Sequence, residues 1–449
     1  MAGFGFTPPG DPNDPENNNP SNNPNNNPFG NFGDIFQQFS KMGLNLQGLM
    51  DSLSGQKSPA SLSKEMIRDI SRKFLSAHGE QPVSISDLTA TQEALNIADL
   101  WLNEATVFPP LPIPDTCALS RRDWIDSTLA GWEEIAKPLV EGMSDAMSSM
   151  LRENFGENSI EGLNIPGFGA GLPGMQIPQP VLAGIMGTFM SSLISSQLGQ
   201  TIGNLSTTVT GANDVALPLS KEIRPGLIPQ NAKIWGQGLD IEEHEVRIYL
   251  SLREIAAARL FASAPWLRDY IRNAIATYGK GIRVDITAIT EQAQEAMNSG
   301  QLDPANPESL TLALSGGLFT PEETPAQKSA LENLETLLAL IDGWIDAVVT
   351  QAARDRLPSL IKLRETQQRR RATKSPTQEL FASLVGLEVS PRRTREASAF
   401  WEKVVELRDV KTRDEIWDEA FLLPRGEQLS DADAFLKSRT VPDDLSGLI

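Results

Sequence analysis

Histidine and cysteine are almost missing from this chain of 449 residues: there are two of the first, His78 and His244, and one of the second, Cys117. A single cysteine excludes an internal disulfide framework. Three such widely spaced donors share no helical face on which to build a three-ligand catalytic zinc site. His244 stands among Glu242, Glu243 and Glu245, a solvated helix start with acids where the helix dipole favours them. His78 precedes Gly79, the pattern of a helix end with its capping glycine. No positively charged leader with an apolar stretch behind it opens the sequence, and with the lone cysteine this makes cytoplasmic residence the expectation. Positive charge is also short, 39 Lys and Arg against 58 Asp and Glu, for a net charge of −19. That balance argues against nucleic acid and anionic membrane surfaces as partners, since phosphate binding needs a positive face.

The common catalytic signatures are absent too. There is no Gly-x-Ser-x-Gly elbow, phosphate loop or EF-hand, and Cys117 lies in a proline-rich neighbourhood without a paired histidine. Between Gly162 and Asn213 no charged residue occurs at all. The formal Gly-x-Gly-x-x-Gly at 169–174 has a proline inside it, no strand before it and no acid at the spacing a dinucleotide site wants, so it reads as a loop. Residues 181–205 are long enough to cross a bilayer, but Ser191, Ser192, Ser195, Ser196, Gln197 and Gln200 dilute them. A buried helix packing closely through Gly184, Gly187, Gly199 and Gly203 is the favoured reading, and peripheral membrane attachment the weakest.

What is present is mostly helical periodicity. Residues 8–33 are dominated by Pro, Asn, Asp and Gly, too polar to offset the entropy of ordering. Residues 1–34 therefore read as a disordered tail, and 35–60 as a short amphipathic segment carrying Ile35, Phe36, Phe39 and Met42. The body, 61–449, shows apolar helical faces at Trp124, Leu129, Trp132, Ile135, Leu139, Met143 and Met147, with a break or kink at Pro138. Another face runs through Leu331, Leu334, Leu338, Ile341, Ile345 and Val348. Residues 281–286 alternate like one short strand, 108–114 form an extended proline-rich connector, and 301–325 a loop-rich insertion. The fold class expected is mainly α. The basic runs Arg369-Arg370-Arg371 and Arg392-Arg393-Thr394-Arg395 lack interleaved aromatics and read as solvated faces or intramolecular partners of the many acids.

The stretch Tyr249 to Asp269 carries the most information. Its centre, Arg253-Glu254-Ile255-Ala256-Ala257, lies where Leu260-Phe261, Pro265-Trp266-Leu267-Arg268-Asp269 and the later Leu340-Ile341-Asp342-Gly343-Trp344-Ile345-Asp346 would place a His-Glu-x-x-His helix. Together with Leu363-Arg364-Glu365-Thr366, Pro391-Arg392-Arg393 and Arg413-Asp414-Glu415-Ile416-Trp417, these segments resemble the bacterial zincin-like metallopeptidase type 2 family over most of the chain after about residue 100. The resemblance implies a zincin-like helical body and a zinc hydrolase activity. It further implies that the segment around Asp342 supplies the carboxylate third ligand, a glutamate in most relatives. Zincin chemistry needs two histidines at i and i+4 on one helix face, with the glutamate beside the first polarising the bound water. Only Glu254 remains. Arginine stays protonated with no lone pair to give, and alanine has no donor atom.

The expected site is thus a relic of Arg253, Glu254, Ala257, Asp342 and Asp346, with no metal and no cofactor, zinc being the family's and not this chain's. Arg253 falls on an apolar stripe with Leu250 and Ala257, so its charge must find an anion, Asp342 or Asp346 and possibly Glu254, or else reach out to solvent. The leading functional expectation is a pseudoenzyme that binds a protein partner through the old cleft or the N-terminal tail. A hydrolase with a non-standard site is the alternative.

Overall fold

Helical spacing of apolar residues is realised along nearly all of the computed structural model, which describes residues 62–155, 179–282, 324–373, 375–385 and 393–439. All of these fall within one unit, 47–449. The expected tail, the amphipathic segment and the Gly-x-Gly-x-x-Gly loop lie outside the described residues. So do nearly all of the candidate strand at 281–286 and of the insertion at 301–325. Among the described residues no strand forms, and the body is mostly helix.

The first helices are α1 (Lys64–His78), α2 (Ile85–Leu102), α3 (Arg121–Phe155) and α4 (Gln179–Ser206). Ser63 and Ser84 cap α1 and α2 by accepting from backbone N–H groups of the first turn, where four donors otherwise lack partners. His78 closes α1 beside Gly79, whose φ of 80° favours glycine. Helix α3 continues through Pro138 without a break. Helix α4 holds the uncharged run and packs on α1 and α3. A Cβ at Gly199 or Gly203 would come within 3.0 Å of Ile70 or Phe74 of α1, so the missing side chains are what bring the two helices together.

After a non-helical crossing come α5 (Pro229–Gly236), α6 (Glu243–Ser263) and α7 (Trp266–Lys280). The later chain forms α8 (Pro325–Ala353), α9 (Leu360–Thr373), α10 (Pro376–Val385), α11 (Thr394–Leu407), the short α12 (Val410–Asp414) and α13 (Ala432–Arg439). Helix α6 is the axis of the body. Every residue from Ile248 to Phe261 is buried, as a helix apolar on all sides requires, and α2, α5, α8 and α9 surround it. Among the described residues, the helix long and apolar enough to span a membrane is α8, and 83% of its most apolar window is buried within the protein. The uncharged α4 does not meet that test.

The crossing between α4 and α5 supplies one wall of the surroundings of α6. Leu119 N donates to Leu227 O at 2.8 Å and Leu227 N to Cys117 O at 2.9 Å, while Ala212 N donates to Gly226 O and Ile228 N to Thr210 O, each at 2.9 Å. These bonds fold residues 209–228 back on themselves and pin them to the connector before α3. Their backbone N–H groups are thereby held against the middle of α6.

Candidate functional site

Arg253 on α6 and Asp342 on α8 face each other across the helix contact. Arg253 Nη2 donates to Asp342 Oδ1 at 2.5 Å, and both residues are 7% exposed. Arg253 therefore does not reach out to solvent. Burial opposes the charge on Arg253, but Asp342, with Tyr249, Asp346 and Asp214 around it, holds the guanidinium above its ordinary value. Asp346, one turn along α8, is not a partner of Arg253. Its Oδ2 accepts from Arg364 Nε at 2.9 Å, Ser398 Oγ at 2.9 Å and Gln368 Nε2 at 3.2 Å, which ties α8 to α9 and α11. An i, i+4 pair of aspartates shares a helix face, yet each has its own arginine.

Glu254 turns away from Arg253 as well, toward the pinned crossing. Asn213 N donates to Oε2 at 3.0 Å, Asn213 Nδ2 to Oε1 at 2.7 Å and Gly226 N to Oε1 at 3.1 Å. A Cβ at Gly211 would sit 2.3 Å from Glu254 Oε2, so this approach needs a glycine there. Burial pushes the Glu254 carboxyl up to about 8, against these hydrogen bonds, which favour the anion. Between the unfolded value near 4.5 and about 8 the folded protein holds a proton that the unfolded chain releases. The contribution of Glu254 to stability is therefore full below pH 4.5 and is lost as pH rises through 8. Denaturation curves from pH 6 to pH 9 should show falling stability, and Glu254→Gln should flatten that fall; parallel slopes for the two proteins would remove the assignment.

A second, partly buried ion pair completes the wall. Arg371, the last arginine of the run on α9, donates through Nη2 to Asp214 Oδ1 and to Asp214 O, both at 2.6 Å. Thr210 N and Oγ1 add bonds of 2.8 and 3.0 Å to Asp214 Oδ2. Burial works to raise Asp214, but Arg371, Thr210 and Arg253 bring it below the usual carboxylate range. Arg371 Nε also lies 3.8 Å from Asp342 Oδ1. A narrow cleft opens among Thr210, Asn213, Asp214, Leu250, Arg253, Glu254, Ala257, Ile345 and Arg371. Sequence reasoning missed Asn213, Asp214, Gly211, which makes room for Glu254, and Gly226, which donates to it, because the crossing that gathers them has no periodicity to read. For Arg371 the only signal was a run of arginines. Its neighbour Arg370 stacks on Trp235, 4.7 Å from the ring centroid, while Arg369 pairs with Glu365 at the surface.

With this geometry in place, comparison with known proteins decides the lineage. A sequence profile described as zincin-like metallopeptidase matches residues 64–436. The chain belongs to that family. No curated protein matches it. Among solved structures, one from Chloroflexus aurantiacus, described as a candidate hydrolase with a novel fold, superposes with a TM-score of 0.56 at 16% identity, covering 85% of this chain and 100% of that one. At such identity the likeness is one of fold.

Membership of this family corrects one expectation, that the chain takes no cofactor. A zincin-like metallopeptidase family is a zinc family by its description. The finding that no three His, Cys, Asp or Glu are grouped to hold a metal extends only to the described residues. The fit at the motif is a narrower question. At 253 and 257, where the sequence resemblance looked for ligands, the chain has a guanidinium and a methyl group, and Asp342 and Glu254 already accept from protein donors. That donor set does not fit a zinc ion, because neither arginine nor alanine offers a lone pair. The arrangement can instead hold charge and shape. It places two guanidiniums and apolar side chains around a small opening.

Proposed function

We propose that this zincin-like metallopeptidase family member has a degenerate active site and serves as a binding or scaffold protein. The observation that carries the reading is the buried Arg253–Asp342 pair, a permanent cation at the position the sequence resemblance gives to the first histidine. Glu254 adds support. A glutamate that acts as general base in this chemistry needs a metal-bound water, and its oxygens are directed at Asn213 and Gly226.

One observation favours a second reading, a hydrolase with a non-standard site. A carboxyl pushed up to about 8 can take and return a proton near neutral pH. The two readings part in one assay. The full chain, incubated with a mixed peptide library and added Zn2+ and monitored by mass spectrometry, should leave every peptide intact. Hydrolysis that Glu254→Gln abolishes would establish the hydrolase instead. A pull-down with the full chain and with a form lacking residues 1–50 should then separate a partner held by the cleft from one held by the tail.

A further inference from the structure

The connector between α2 and α3 lies outside the lining of the cleft and is rich in proline, with Pro109, Pro110, Pro112 and Pro114 within six residues. Proline fixes its own φ near about −65° and confines the residue before it to extended backbone, so residue type alone directs this stretch into a left-handed polyproline helix. Such a helix has about three residues per turn and no internal hydrogen bonds. The structure agrees on both counts. Among the described residues, none forms a backbone hydrogen bond with 109–113. Pro109 and Pro112, one turn apart, are exposed, while Leu111 and Pro114, one turn apart on another edge, are half-buried and Ile113 packs on the core. Both ends are fixed. Val107 N donates to Asp414 Oδ2 at 2.8 Å, the carbonyl of the buried Phe108 accepts from Arg259 Nη1 at 3.3 Å, and beyond the prolines Cys117 O accepts from Leu227 N at 2.9 Å. The segment is therefore ordered when the protein folds, and a partner that takes it does not bear that cost on binding.

We infer that Pro109 and Pro112 form a docking edge for a protein module whose groove is lined by aromatic side chains. Proline rings one turn apart fit the slots between such rings, and the free backbone carbonyls beside them accept from donors on the groove's rim. Strand addition is disfavoured as the mode of contact, because prolines have no N–H to offer a sheet edge. Asp115, exposed and three residues beyond Pro112, calls for a basic residue at that end of the groove. This edge uses neither the cleft nor the N-terminal tail, so it stands or falls apart from the non-catalytic reading.

The test is titration of the full chain into a panel of purified, dye-labelled SH3 and WW domains, whose aromatic grooves take proline-rich segments, followed by fluorescence anisotropy. At least one domain should bind, and decaproline should displace the chain from it. The double variant Pro109→Ala, Pro112→Ala should bind that domain at least tenfold more weakly. Pro110→Ala, which also removes an exposed proline but from a different edge, should bind within about twofold of the parent, as the turn of about three residues requires. Melting curves check that both variants fold, and if the double variant does not, displacement by decaproline from the unmodified chain carries the test alone. A panel in which no domain binds, binding that decaproline leaves in place, or equal loss in the two variants overturns the assignment.

Discussion

Arg253→Met will lower the stability of the protein by about 3 kcal/mol or somewhat more, because it leaves the Asp342 carboxylate buried without its principal partner. Breaking a buried ion pair from one side costs on the order of 3–5 kcal/mol. The lower part of that range applies here, since Arg371 Nε stands 3.8 Å from the same oxygen and retains some of the attraction. For a chain of this size the expected fall in Tm is roughly 3–8 °C. The double variant Arg253→Met, Asp342→Leu removes both charges and should recover most of the loss, as apolar replacements of buried pairs commonly do. A single variant that melts with the parent would show that Arg253 does not hold this helix contact together.

A loss of comparable size is expected at a second buried cluster, outside the lining of the cleft. Asp414, fully buried, accepts from Thr106 Oγ1 at 2.6 Å, Val107 N at 2.8 Å, Trp344 Nε1 at 3.0 Å and Arg413 Nε at 2.8 Å. Arg413 is equally buried and lies over the Trp344 ring, 5.6 Å from its centroid. Asp414→Ala leaves that guanidinium uncompensated and strips three further donors, for a cost on the order of 3–5 kcal/mol. Urea denaturation with an unchanged slope and a lowered midpoint is the expected signature. Arg413→Met in the same background should restore part of the stability; no recovery would mean that the uncompensated charge is not the cause. Trp344 lies two residues after Asp342 on α8, so this hub also fixes the helix that presents the cleft its carboxylate.

Helix α6 shows how much of the site was legible. Apolar residues all round its circumference demanded burial, and a charge among them demanded an anion, so a partner for Arg253 could be anticipated from sequence. Which carboxylate served could not. Asp342 and Asp346 share a face of α8, and only the placement of α9 and α11 gives Asp346 to Arg364 and leaves Asp342 for Arg253. Glu254 resisted in another way. Its partners are backbone N–H groups of a segment without periodicity, and backbone donors carry no signature in residue type.

The sequence by itself determined that the body is helical and that the chain is of zincin-like metallopeptidase lineage. Each rests on residue type and spacing, which are local. Only the tertiary structure decided how four charges, Arg253, Asp342, Arg371 and Asp214, pair around one opening. Such pairing depends on distances of a few ångströms between elements more than 80 residues apart in the chain, and on the low dielectric that burial creates around them.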